Sequence, residues 1–297
     1  MYKLRRISQI FCFILFLCLL IYLDPLTSRG FSPQVFLRLS PLSAIGAMVA
    51  AKEFILEYLP AFVLIIATIM LGRFFCAWVC PMGMTIDITD SFLSRLRKDS
   101  ELRTPNSELY DGRRLKYYLL AFLILSLFIS SQIIGWFDPL SIATNTYTIV
   151  VHPYLMFVIN GLFGFLHNLT APVTDPVHGL LKNLFFALYQ PFFKAHFLML
   201  VVFLAIIFFG VIYPRYWCRN ICPLGALLAL ISGQSIFKRV VSDKCIACEQ
   251  CVSECRMGAI TNAGKGTIEG ECILCMTCQN ICTSGAVSFR RVQPVEQ

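Results

Sequence analysis

The sequence predicts an α-helical membrane protein. A duplicated two-helix unit, giving four main transmembrane helices plus interfacial helices, carries a small α+β domain at its C-terminus. Three observations point there. The 297 residues are 57% hydrophobic and only 14% charged, with a mean hydropathy of +0.71, where ordinary soluble domains carry about 25% charged residues. The pattern aromatic-Cys-x3-Cys-Pro-x-Gly occurs twice, at 75–83 and at 217–225. Eight of the fourteen cysteines fall in two identical runs near the C-terminus.

Lys3, Arg5 and Arg6 precede an apolar segment at 7–23. No small-residue cleavage site follows it, so it is expected to be a retained first span rather than a signal peptide. Residues 24–52 form an outer connection, and 54–72 a second span. Residues 91–116 hold Arg95, Arg97, Lys98, Arg103, Arg113, Arg114 and Lys116, the pattern of a cytoplasmic loop. A third span is expected at 117–134 and a fourth at 197–213. Between them, 147–166 and 179–193 read as a pair of outer interfacial helices, weakened as spans by Asn160, Pro153, Lys182 and Pro191. Four spans put both termini inside a bacterial or archaeal inner membrane. Only Arg29, Arg38, Lys52, Lys182 and Lys194 then lie outside, as the positive-inside rule requires. The net charge of +8 follows this pattern and not that of a nucleic-acid-binding face.

The membrane part, 1–236, reads twice. Repeat 1 covers about 7–97 and repeat 2 about 117–232, with Asp24-Pro25-Leu26 matching Asp138-Pro139-Leu140. Cysteines at i and i+4 share one helix face. The proline after each second cysteine disfavours helix at Cys80 and Cys222 and can start a new one. The repeat should bring Cys76, Cys80, Cys218 and Cys222 face to face, as a docking surface or as the ligands of one further iron–sulfur cluster. Cys12 and Cys18 lie in an apolar span and read as inert packing.

A second domain is expected at 237–291, followed by a short tail. Its runs are Cys245-x2-Cys248-x2-Cys251-x3-Cys255 and Cys272-x2-Cys275-x2-Cys278-x3-Cys282, the spacing of a two-cluster bacterial ferredoxin. In that spacing the fourth cysteine of each run ligates the other cluster. Cys245, Cys248, Cys251 and Cys282 are therefore assigned to one [4Fe-4S] cluster, and Cys272, Cys275, Cys278 and Cys255 to the other. Zinc would use pairs rather than two full four-cysteine runs, and a disulfide framework would require an oxidising compartment. Arg256 and Thr283 stand where a proline usually follows the fourth cysteine. The string at 283–287 and Gly264-Lys265-Gly266 are chance likenesses to flavin-attachment and phosphate-binding motifs.

Together, Phe75-Cys76-x3-Cys80-Pro81, Trp217-Cys218-x3-Cys222-Pro223-x-Gly225-Ala226 and the two C-terminal runs resemble the NapH-type membrane ferredoxins, quinol dehydrogenase membrane subunits related to the membrane parts of NosR and CcoG. The resemblance implies an electron-transfer subunit linking quinone, as quinol oxidant or quinone reductant, to a partner redox enzyme in a multi-subunit complex that carries further cofactors. Other readings are a CcoG-type assembly factor whose Cys-x3-Cys pairs handle copper, and an anchor that docks a ferredoxin-dependent enzyme. Glu53, Glu57, Asp138, His152 and His196 are the ionisable candidates for a quinone or proton site. No clear mid-span histidine pair offers haem ligation.

Overall fold

The computed structural model describes residues 2–22, 34–97, 112–127, 133–151, 153–155, 157–158, 161–162 and 196–292. Helix α1 (Tyr2–Tyr22) is a run free of proline and glycine. After a short α2 (Gln34–Arg38), α3 (Pro41–Ala51) starts on a Ser40 cap with proline in its first turn. Helix α4 (Leu59–Leu71) ends at Gly72, where φ is 78°. The chain then makes a short α5 (Phe75–Trp78), breaks at Cys80, and restarts as α6 (Pro81–Arg97). Helices α7 (Arg113–Leu127), α8 (Ile134–Phe137) and α9 (Pro139–Thr146) follow, the last running into a π-turn at Tyr147–Val151. Helix α10 (His196–Ile212) leads through a π-turn at Trp217–Ile221 to α11 (Pro223–Ser232). Both post-cysteine helices thus begin on the motif proline, whose missing N–H costs nothing in a first turn.

The C-terminal region is α+β. Strand β1 (Phe237–Val241) pairs antiparallel with β4 (Val287–Arg291), and β2 (Ile260–Thr261) with β3 (Gly266–Thr267). Two one-turn helices, α12 (Gln250–Ser253) and α13 (Thr277–Ile281), pack together between them. This region sits directly on the helices. The turn Glu269–Glu271 lies on α11. The approach needs glycine at 270, because a Cβ there would stand 2.7 Å from the Ala229 carbonyl oxygen.

Among the described residues no helix is long and apolar enough to cross a membrane, which overturns the predicted four-span membrane fold. Helices do form where three of the spans were expected, but α4 has 13 residues, α7 has 15 and α10 has 17. At 1.5 Å per residue they reach about 20 to 26 Å, against a hydrocarbon core of about 30 Å. Helix α1 has 21 residues, but Lys3, Arg5 and Arg6 fill its first turns, and Arg5 and Gln9 are buried against protein. The inside–outside assignment of termini and loops rested on those spans and falls with them. Composition misled because it registers how apolar the segments are and not how long each helix runs; the apolar residues are divided among many short helices, and a good part of them stays exposed. The outer connection holds α3, the expected 147–166 helix opens as a π-turn, and 179–193 lies outside the described residues.

Asp138 shows how the helices are tied. It is fully buried and caps α9, accepting from the Ser141 backbone N–H. It also accepts from the hydroxyls of Ser40 at 2.9 Å and Ser43 at 3.1 Å, on and beside α3. Burial pushes its carboxyl up to about 6 even with these donors in place. A carboxyl raised in the folded state favours folding below its unfolded value of about 4, and that contribution disappears as pH rises through 6. Asp138→Asn should therefore flatten the stability–pH curve between about pH 4 and 6 by ~3 kcal/mol. Thermal melts across that range check it, and an unchanged slope would show the carboxyl ionised throughout.

Candidate functional site

The two cysteine runs adopt the same backbone. In each, the residues before and after the second cysteine are left-handed: Ala247 and Glu249 (φ 53° and 56°) in the first, Leu274 and Met276 (φ 52° and 60°) in the second. Such conformations cost about 1–3 kcal/mol each for non-glycine residues and cluster at ligand-holding turns. Here they curl each loop so that successive thiols turn to one side. Cys272, Cys275 and Cys278 of the second run line one small cavity together with Cys255 of the first run, and Met257, Ile260, Ile273 and Phe289 supply apolar wall. The Cys255 sulfur accepts from the Ala259 backbone N–H at 3.3 Å.

The other predicted set is more open. Cys248 is exposed, and Cys245, Cys251 and Cys282 are half-buried. Cys251 and Cys282 pack against the core of Ile260, Cys278 and Val287. None of the fourteen cysteines forms a disulfide. Among the described residues no three His, Cys, Asp or Glu side chains close around a single metal ion. That excludes nothing larger, because a cubane holds its four thiolates at separate corners. The donor chemistry fits such a group: four soft thiols, an apolar wall and a buried cation. The cation is Arg239 of β1. Its guanidinium donates to the Cys251 sulfur at 3.7 Å and to the Gly264 carbonyl at 2.7 Å, and it also lines the Cys255–Cys278 cavity. Burial drives the Cys272 and Cys278 thiols up to about 12.

The repeated Cys-x3-Cys-Pro motifs meet in the helical core. Cys76, Cys80, Cys218 and Cys222 are all buried in one cluster. The motif glycines allow it. A Cβ at Gly83 would lie 2.5 Å from the Cys76 carbonyl oxygen, and one at Gly225 2.5 Å from Arg73 Nη2. Burial raises the Cys218 thiol to about 11 and moves Cys80 and Cys222 further in the same direction.

Matches to known proteins fall on these parts. A 4Fe-4S binding domain model matches in two pieces, 55–98 and 195–242, which hold the two Cys-x3-Cys-Pro motifs. A second 4Fe-4S binding domain model matches 238–261, the first cysteine run. An uncharacterised protein of Methanocaldococcus jannaschii is 26% identical over 86% of this chain and 82% of its own length. The putative electron transport protein YccM of Escherichia coli is 25% identical over 64% of this chain and 43% of its own. The ferredoxin-type protein NapH of Haemophilus influenzae is 22% identical over 84% of this chain and 73% of its own. This chain is a relative of the NapH-type ferredoxins. Both of its cysteine-bearing parts carry matches to 4Fe-4S binding domains. No solved structure matches it.

The residues that sequence reasoning missed are the charges that join these parts. Arg73 and Arg215 each stand three residues before the first cysteine of a motif. Each reaches across to the other repeat: Arg73 donates to the Cys218 carbonyl at 3.0 Å, and Arg215 to the Cys76 carbonyl at 3.1 Å. Arg73 also pairs with Glu271 at 2.9 Å, beside Cys272. Lys116 donates to both oxygens of Glu271, at 2.5 and 2.6 Å, and Tyr117 donates at 3.0 Å. Arg215 holds Asp87 with two bonds of 2.8 Å, and Asp87 also accepts from Arg256, beside Cys255, and from Gln9. Burial works to raise both carboxyls, but the cations outweigh it and hold them below the usual range. The repeat spacing could have exposed the two arginines. Nothing local marks Asp87 or Glu271.

The ionisable candidates do not gather. Glu57 is exposed and pairs with Arg38, Glu53 is exposed, and Asp138 is the buried cap described above. His196 starts α10, and His152 lies outside the described residues. Glu271→Gln should cost about 3–5 kcal/mol, because it takes the counter-charge from the buried Arg73 and Lys116. Glu57→Gln should cost no more than about 1 kcal/mol. Chemical denaturation of both variants tests the contrast, and equal losses would show the Glu271 site to be hydrated.

Proposed function

We propose that this chain relays single electrons between the quinone pool and a partner redox protein. Two [4Fe-4S] clusters would be held by Cys245, Cys248, Cys251 and Cys282, and by Cys272, Cys275, Cys278 and Cys255. The observation that carries this is the cavity shared by Cys255 of one run with three cysteines of the other. That exchange of the fourth ligand is the signature of paired cubanes. Bound clusters supply one-electron steps. The chain's own residues bind them, exclude water and set the surrounding charge.

The two sites differ in access. The first loop faces solvent at Cys248 and Ile246 and suits exchange with a docked partner in a larger complex. The second lies against the helices. Helices α4, α7 and α10 expose Val63, Ile66, Met70, Phe122, Leu125, Leu204 and Phe208. Such faces favour work at a lipid surface, where a quinone is dissolved. Arg239 stands between the two sites and stabilises the more negative, reduced state of both.

Three measurements test the reading. Cys272→Ser should remove about four irons per chain and one reduced-cluster EPR signal, while the first signal persists. A short-chain quinol added anaerobically to vesicles carrying the chain should then reduce the clusters. Dithionite reduction without any quinol response would remove the quinone from the proposal. Arg239→Gln should move both midpoint potentials negative, on the order of tens of millivolts, the scale of one lost charge-assisted hydrogen bond. Redox titration followed by EPR reads the shift, and unmoved potentials would make Arg239 a purely structural residue.

A further inference from the structure

We infer that the cleft where β1, β3 and the Glu269–Glu271 turn meet binds one small inorganic anion of the halide class, held by Arg239, Lys238 and Thr267, and that the bound anion makes the adjoining Cys272 site harder to reduce. Binding itself needs no cluster. Only the redox effect rests on the ferredoxin reading above.

The cleft is lined by Ser235, Lys238, Arg239, Thr267, Glu269 and Cys272. Arg239 and Cys272 also line the four-cysteine cavity, so these two residues form the wall between the two spaces. The enclosed part of the cleft suits one group about the size of a water molecule. That favours a single atom over phosphate or sulfate.

The charge of this lining is unbalanced. Lys238 and Glu269 pair at 2.5 Å and cancel. Arg239 has no such partner. It is 8% exposed, and its guanidinium donates to the carbonyls of Gly264 and Gly266, to the Thr267 hydroxyl and to the Cys251 sulfur. None of these is a carboxylate. Its Nε, also buried, has no acceptor among the described residues. Across the sheet, Arg290 is the register partner of Lys238, and like charges so placed repel each other. A buried guanidinium without a counter-charge is costly. A water molecule would accept the Nε proton and offset no charge, whereas an anion does both. Two hydroxyls complete the donor set. Thr267 Oγ1 accepts from Arg239 at 3.0 Å, which leaves its own proton to donate. Ser235 donates to the Phe237 carbonyl only at 3.5 Å, beyond the usual range, and can turn.

The redox effect follows from shared charge. Arg239 reaches the cysteine loops through its terminal nitrogens and would hold the anion through Nε. The anion draws on the same positive charge that favours an added electron, so the two compete. Reciprocity requires reduction to weaken anion binding by the factor through which the anion disfavours reduction. The anion leaves to solvent as the electron arrives, and no covalent bond changes.

The full chain, purified anaerobically in gluconate buffer, is titrated with sodium chloride and followed by the chloride NMR line width. Excess broadening that bromide displaces is expected. Thr267→Val, close in size, should weaken chloride binding about tenfold, the scale of one hydrogen bond to a charged group. Glu269→Gln should tighten it, because Lys238 then loses its competing carboxylate. Opposite changes in the two variants cannot come from loss of folding. Wild-type protein without bromide-displaceable broadening, or equal broadening in all three proteins, reports surface ions only and overturns the site. EPR-monitored redox titrations with and without chloride read the linkage. The second site's midpoint should move negative, by about 59 mV for each tenfold difference in affinity between its oxidised and reduced states, and the first site's should move less. An unmoved midpoint at saturating chloride overturns the redox effect. Chloride binding with the two variant responses in a chain that shows no reduced-cluster signal would uphold the site and defeat the ferredoxin reading instead.

Discussion

Two crossed arginines hold the molecule together. Arg73 and Arg215 are almost wholly enclosed, each bonded to the backbone of the opposite repeat and to a carboxylate. A buried ion pair gives little net stability compared with a well-packed apolar core, but breaking one is expensive. Its value here is in specifying one arrangement. A repeat that slipped by one helical turn would strand a guanidinium with no acceptor. The carboxylates carry the specification outward, because Glu271 precedes one cavity cysteine and the Asp87 partner Arg256 follows another. The docking of the C-terminal region and the pairing of the repeats are thus one electrostatic event.

Much of this was legible in the residues. The cysteine spacing grouped Cys255 of the first run with Cys272, Cys275 and Cys278 of the second, because the fourth cysteine of such a run serves the other loop, and these four line one cavity. The motif prolines marked where α6 and α11 begin, since proline's fixed φ and missing N–H suit a first turn. The doubled motif indicated that four thiols would meet. Hydropathy was a poorer guide. It reports how apolar a segment is, and not whether its neighbours are lipid or protein. Helices of 13 to 17 residues with one face on a shared core score much as spans do. The long-range pairs were illegible for a different reason. Asp87 and Arg215 are separated by 128 positions and Arg73 and Glu271 by 198, and no periodicity links residues that far apart.

The same logic separates candidates from working groups. Asp138 stood out as an acidic residue beside an apolar stretch, and its three donors explain it as a helix cap and an inter-helix tie. Glu57 stood out likewise and is a solvated partner of Arg38. Arg239 drew no attention in an ordinary strand, yet its guanidinium touches both cysteine loops. Position relative to the sulfurs, rather than charge in an apolar context, sorts these residues.

The enclosure of the second cavity also bears on biogenesis. Cys278 is buried, and the turn carrying Cys272 is pressed onto α11 across the glycine contact at residue 270. With that contact closed, Cys278 is covered while Cys272 and Cys275 stay half-buried. A cluster of the kind proposed for this cavity would enter most readily before the C-terminal region settles on the helices, so that loading and docking would be coupled steps in the making of the protein.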